Sequence, residues 1–115
     1  MKFFTPSKQL VEEHYAEHKG KPFFDGLVSF LTSGPVCAMC WEGHNVISIA
    51  RTMMGVTKPE ASAPGTIRGD FGIDVGRNVI HGSANADDAA REIGLWFKPD
   101  ELQEWKKTDE CHIYE

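Results

Sequence analysis

Between Val56 and Val79 no helical window survives, because Pro59, Pro64, Gly65, Gly69, Gly72 and Gly76 interrupt each one. This stretch limits the fold more than any other feature of the chain. A segment of about twenty residues without regular structure is uncommon in a compact domain unless it forms a site, contacts a partner or is disordered. Ile67, Phe71, Ile73 and Val75 offer apolar anchors that argue against disorder, and Phe71 to Val75 reads as a short extended piece. The 115 residues then suffice for one small domain, 1–115, with a thin core.

Charge is unevenly distributed around that stretch. The chain carries 12 Lys and Arg against 17 Asp and Glu, a net charge of −5, which disfavours general nucleic-acid binding. Yet Arg51, Arg68 and Arg77 fall in or beside the glycine-rich middle, where they would suit an anion such as phosphate. Three cysteines are no disulfide framework, and no apolar run is long enough to span a membrane. A cytoplasmic location is the expectation.

Elements can be placed on either side of the middle. Met1 to Phe4 would suit the end of a strand. Ser7 can cap a helix whose face is Leu10, Val11 and Tyr15. His14 and His18 lie one turn apart on it, but the acid of a zinc-helix pattern is replaced by Tyr15, so a partly solvated helix is the expectation. A second helix follows Gly20-Lys21-Pro22; Phe23 and Leu27 share a face there, either as core or as the lip of an apolar slot. Val36 to Trp41 reads as a strand buried on both faces, which would send Cys37 and Cys40 to opposite sides. Asn45 is a candidate cap for a helix to Met54 that buries Val46, Ile49, Ala50 and Met53, with Gly55 ending it. Arg51 near that helix end is favoured electrostatically even without a ligand.

The chemistry-bearing stretch is Arg77-Asn78-Val79-Ile80-His81-Gly82-Ser83, which could present an imidazole at a strand end. Ser83 or Asn85 can cap the next helix, opened by Asp87 and Asp88, with Ala89, Ile93, Trp96 and Phe97 inward. Pro99 begins a short turn of helix ending near Trp105, and the polar tail ends in Ile113-Tyr114-Glu115.

Taken together, these segments resemble the nucleoside diphosphate kinase family. Arg77 to Ser83 is similar to its active-site signature. Ser33-Gly34-Pro35, Trp41-Glu42-Gly43, Pro64 to Phe71, and Glu92 followed by Trp96-Phe97-Lys98-Pro99 match its other segments. The resemblance implies an α+β fold, the ferredoxin-like βαββαβ sandwich of that family, lacking the first strand and first helix. It implies reversible ping-pong transfer of a γ-phosphoryl group between nucleoside di- and triphosphates through phosphohistidine at His81. Glu92 and Ser83 would orient the imidazole, with Tyr15 beside it. Arg51, Thr57 and Arg68 would hold phosphates, Asn78 the ribose, and Phe23, Leu27 and Val75 the base. Mg²⁺ would ride on the nucleotide phosphates rather than in a carboxylate cage, so no metal-ligating residue is assigned. A homo-oligomer, hexameric if complete, is also implied, with Glu115 near a neighbour's nucleotide.

The family's opening segment, with its phosphate-reaching lysine, has no counterpart here. The resemblance therefore carries an alternative: a catalytically impaired, amino-terminally truncated member serving as a structural or interaction subunit. Loss of a central strand would also leave apolar surface uncovered and the chain unstable alone.

Overall fold

The computed structural model describes all 115 residues. In chain order it contains β1 (Lys2–Phe4), α1 (Lys8–His14), α2 (Phe24–Leu31), β2 (Val36–Ala38), α3 (Val46–Met54), α4 (Ile67–Phe71), α5 (Ala86–Trp96) and α6 (Glu110–Ile113). Single 3-10 turns lie at Ala16–His18, Pro59–Ala61, Val75–Arg77 and Pro99–Glu101. The fold is α+β: helices packed around a two-stranded antiparallel sheet, with Phe3 opposite Cys37 and Phe4 opposite Val36.

Capping follows the side chains. Ser7 Oγ accepts from the Leu10 amide at the start of α1. Asn85 Oδ1 accepts from the Asp88 amide at the start of α5, which frees Ser83 for another partner. At α3 the expectation fails, since Asn45 takes a left-handed backbone (φ 52°) and its side chain caps nothing. Gly55, with φ 88°, ends α3 as expected.

The apolar core is small and sits between α1 and α2, where Val11, Phe24 and Val28 are buried and Tyr15 and Leu31 pack around them. Phe24 and Val28 point inward at i, i+4, so the neighbouring pair, Phe23 and Leu27, is turned to the rim. The sheet packs on one face only: Phe4 meets Trp96 edge-on at 5.8 Å, and Lys2 pairs with Glu101 at 3.0 Å.

The doubly buried strand from Val36 to Trp41 is therefore corrected. It ends at Ala38, its burial alternates, and Met39, Cys40 and Trp41 are exposed. A strand with helices against a single face buries every second residue. Likewise α3 buries Met54 rather than Ile49 and Met53, both more than half exposed, because its packing partner is α4 at its C-terminal end.

The long middle also differs from expectation. It contains a short helix, α4, capped by Thr66, whose hydroxyl accepts from the Gly69 amide. Phe71, Ile73 and Val75 are exposed and anchor nothing, and no extended piece forms between them. What fixes the segment is polar and steric. Pro59 and Arg68 are buried, Gly69 is so close to the Ala63 carbonyl that a side chain would collide with it, and Gly72 lies against Arg68 and Pro59. Near the end of the chain the turn after Pro99 stops at Glu101, leaving Trp105 exposed. The tail docks on its own chain, with the Tyr114 ring 4.7 Å from that of His44.

Candidate active site

His81 does not follow a strand. Residues 75–77 form a 3-10 turn, and the Ile80 amide then donates to the Asn78 carbonyl (2.9 Å) across Val79, whose φ is 76°. This is a γ-turn centred on a β-branched residue, a conformation that costs free energy and persists only where its surroundings impose it. The imposing contacts are visible on both sides of His81. Arg68 Nη2 donates to the Ile80 carbonyl at 2.6 Å, and Arg51 Nη1 donates to the Gly82 carbonyl at 3.1 Å. Gly82 itself lies against the buried Met54 sulfur, where a Cβ would come within 2.7 Å. Asn78 is tied back by its Nδ2, which donates to the Thr57 carbonyl at 3.0 Å.

The turn leaves the His81 side chain half exposed above a mostly buried carboxylate. His81 Nε2 lies 2.7 Å from Glu92 Oε1, and the Ser83 hydroxyl donates to Glu92 Oε2. With Nε2–H donating to the carboxylate, Nδ1 keeps its lone pair. Burial alone would raise the Glu92 pKa; the Ser83 hydrogen bond and the facing His81 outweigh it and hold the carboxyl below its ordinary value. Tyr15 stands next to this centre. Its phenol is raised by burial and by the Glu92 charge, with Arg68 opposing. Arg68 is lowered by burial and by repulsion from Arg51, the two guanidinium groups holding the carbonyls on either side of His81. Arg68 Nη1 donates to the Gly55 carbonyl at 3.3 Å, while its buried Nε finds no protein acceptor.

Arg51 and Thr57 line an open cavity of ≈ 640 Å³ together with Thr52, Gly55, Val56 and Thr66. Arg51 on the wall of a cavity rimmed by threonine hydroxyls is chemistry that suits an anion. On the other side, Phe23 and Val75 are exposed and Leu27 half-buried. Phe23 precedes α2, Leu27 lies on it and Val75 on the 3-10 turn at 75–77; helix and turn are joined where the Arg77 guanidinium covers the Phe30 ring at 3.9 Å. The structure thus brings His81, Glu92, Ser83, Tyr15, Arg51 and Arg68 into one centre, with Thr57 and Asn78 bonded to each other at its margin. Phe23, Leu27 and Val75 stand outside that centre with much of their apolar surface exposed.

Two residues of the site escaped the sequence reading. His14, expected on a partly solvated face, is 5% exposed, and its ring stands at 83° to that of His81 with centroids 4.7 Å apart. Arg91 donates to the carbonyls of Glu13 and His14 and so ties α1 to α5. The i, i+4 histidine pair was a visible signal for His14, but the helix ends there and His18 diverges onto the next turn. Arg91 carried no signal.

A half-exposed imidazole, hydrogen-bonded to a carboxylate and flanked by arginines on an α+β frame, has the chemistry that a nucleophilic histidine needs. The nucleoside diphosphate kinase family model matches residues 1–102. A nucleoside diphosphate kinase of Schizosaccharomyces pombe is 60% identical over all 115 residues, which span 76% of that relative. A Dictyostelium discoideum relative named as cytosolic nucleoside diphosphate kinase is 66% identical over 102 residues, 89% of this chain and 66% of its own. Among solved structures, a Babesia bovis family protein superposes with TM-score 0.93 at 49% identity, covering 98% of this chain and 76% of that one. A halophilic nucleoside diphosphate kinase from Halobacterium salinarum, in complex with CDP, gives 0.92 at 52% identity, with 99% and 76% covered. The chain belongs to the nucleoside diphosphate kinase family.

Proposed function

We propose that this chain transfers the γ-phosphoryl group of a nucleoside triphosphate to a nucleoside diphosphate in two displacements at His81. The observation that carries the reading is the pair of roles held by one ring: Nε2 against Glu92 Oε1 at 2.7 Å, with Nδ1 free to attack. In the first step Nδ1 donates its lone pair to the γ-phosphorus, the bond to the bridging oxygen breaks, and the diphosphate leaves. The Nε2 proton stays in its hydrogen bond to Glu92, which disperses the positive charge that attack places on the ring. In the second step the terminal oxygen of another diphosphate attacks the same phosphorus and the P–N bond breaks.

Arg51 and Arg68 offset charge on the phosphoryl oxygens, with Thr57 at the margin. Tyr15 closes the side of His81 toward α1. Phe23, Leu27 and Val75 receive the base by apolar contact alone, so discrimination among bases is weak, and Asn78 lies where the ribose would pass. The nucleotide enters as its Mg²⁺ complex: Glu92, the carboxylate nearest the nucleophile, is already engaged by Ser83 and His81, so the metal is held by phosphate oxygens. We place all 115 residues in one working domain and expect a homo-oligomer, hexameric as the family resemblance implies, in the cytosol. No helix is long and apolar enough to cross a membrane.

The test is a brief incubation of the chain with γ-labelled ATP and Mg²⁺. Stoichiometric acid-labile label on His81, discharged by added nucleoside diphosphate, is expected, and His81→Asn should lose it entirely while remaining folded. Unlabelled His81 in a folded sample would defeat the reading and leave a structural subunit.

A further inference from the structure

His14 is held more tightly than a packing residue needs to be. Trp96 Nε1 donates to His14 Nδ1 at 3.0 Å, Arg91 grips the backbone carbonyl of His14 at 3.1 Å, and the Tyr15 ring lies edge-on at 4.6 Å. An indole nitrogen can only donate. Nδ1 must therefore keep its lone pair, and in the neutral ring the proton sits on Nε2, the nitrogen 3.7 Å from Glu92 Oε1. That separation is an electrostatic contact rather than a hydrogen bond. It still directs the positive end of an N–H dipole at the oxygen that accepts from His81.

We propose that Trp96 and His14 form a positioning pair for the phosphoryl transfer: the indole locks His14 as the Nε2–H tautomer, and that N–H keeps Glu92 ionised and aimed at His81, with His81 Nδ1 turned outward. The inference rests on the reading of His81 as the nucleophile. Without the indole, His14 can place its proton on Nδ1, and a lone pair then faces the carboxylate and repels it. A charged His14 would be as harmful, since it would compete with His81 for the same oxygen. Burial, then the neighbouring His81, keep His14 neutral, its pKa lowered to about 4; Glu92 opposes this, while Arg91 and His18 favour it weakly. The same tautomer works against metal binding by His14, His81 and Glu92, whose ligand atoms cluster within 4.8 Å, because a protonated Nε2 offers an ion no lone pair.

The experiment uses the full chain labelled with ¹⁵N. Long-range ¹H–¹⁵N correlation at neutral pH should show His14 as the Nε2–H tautomer, and as a mixture or Nδ1–H in Trp96→Phe, which keeps an aromatic ring against Phe4. In single-turnover phosphorylation by ATP with Mg²⁺, Trp96→Phe should be about ten-fold slower at saturating ATP, with KM changed less than about two-fold. The acid limb of its rate profile should move to higher pH, as the released His14 protonates. His14→Gln, which restores an N–H donor, should keep most of the rate, and His14→Leu should match Trp96→Phe. Thermal unfolding by circular dichroism checks that each variant is folded; one that is not is replaced by reading the wild-type tautomer alone. An Nδ1–H or charged His14 in the wild type, or an unchanged rate and pH profile in folded Trp96→Phe, would overturn the positioning pair alone. Failure of the wild type to label His81 would remove it together with the proposed reaction.

Discussion

The α1–α2 contact and the corner around His81 are held by opposite physics. Between the helices, Val11, Phe24 and Val28 are buried with no polar partner, and the contact is worth what their removal from water is worth. Around His81 few apolar groups are buried; the chain path is set by arginines donating to backbone carbonyls and by glycines close to neighbouring atoms. Apolar burial is non-directional and tolerates small shifts. Carbonyl–guanidinium bonds are directional and hold the γ-turn at Val79, so they can fix a nucleophile's position to a fraction of an ångström. The comparison assigns stability to one region and geometry to the other.

The sharpest way to break that contrast is Gly69→Ala. Its methyl group would meet the Ala63 carbonyl and lie 2.8 Å from the Thr66 hydroxyl, neither of which can give way without moving backbone or losing the α4 cap. We expect a loss of about 3 kcal/mol in urea unfolding. Because α4 carries Arg68, the KM for ATP should rise in whatever fraction stays folded. Retained stability would mean that the loop is looser than its contacts require.

Acid should act on the polar corner next. His14 stays neutral down to about pH 4 in the folded chain and to about 6.5 when unfolded. Between those values the unfolded chain binds the extra proton, so its contribution is full above pH 6.5 and is lost as pH falls toward 4. Its upper bound is about 3 kcal/mol, reduced by solvent screening of the neighbouring charges. The depressed Glu92 acts in the same sense, its contribution lost as pH falls through a folded pKa below 4.5. Denaturation curves at pH 4 and 7 measure the sum, and His14→Gln should flatten the upper part of the slope.

The smallest effect belongs to the apolar region. Val28→Ala should cost about 2 kcal/mol through lost burial and a small cavity. Phosphorylation rates measured well below its melting temperature should be unchanged. If that variant slowed His81 labelling, the division between the two regions would be wrong.

How much of this could be read from residues depended on how local the signal was. Ser7, Asn85, Gly55, the start of α1 and the extents of α3 and α5 follow from side chains acting on backbone within a few positions. The Val36 to Trp41 strand and the α3 face were misjudged because exposure of Trp41, Ile49 and Met53 depends on what packs across from them. His81, Glu92, Ser83, Arg51 and Arg68 were legible through family resemblance, and the fold brings them together. His14 was not, since its meaning comes from Trp96, which lies 82 residues along the chain.

By itself, the sequence determined the start of α1, the boundaries of α3 and α5, the concentration of glycine and arginine in the middle and the presence of a signature histidine. These are properties of residue type and near spacing, governed by backbone sterics and local hydrogen bonds. Only the tertiary structure decided that His81 follows a strained turn rather than a strand, that α4 is anchored by a buried cation rather than by Phe71 and Ile73, and that the two His14 nitrogens face Trp96 and Glu92. Each depends on the distance between groups remote in the chain, and electrostatic and hydrogen-bond energies change steeply with that distance.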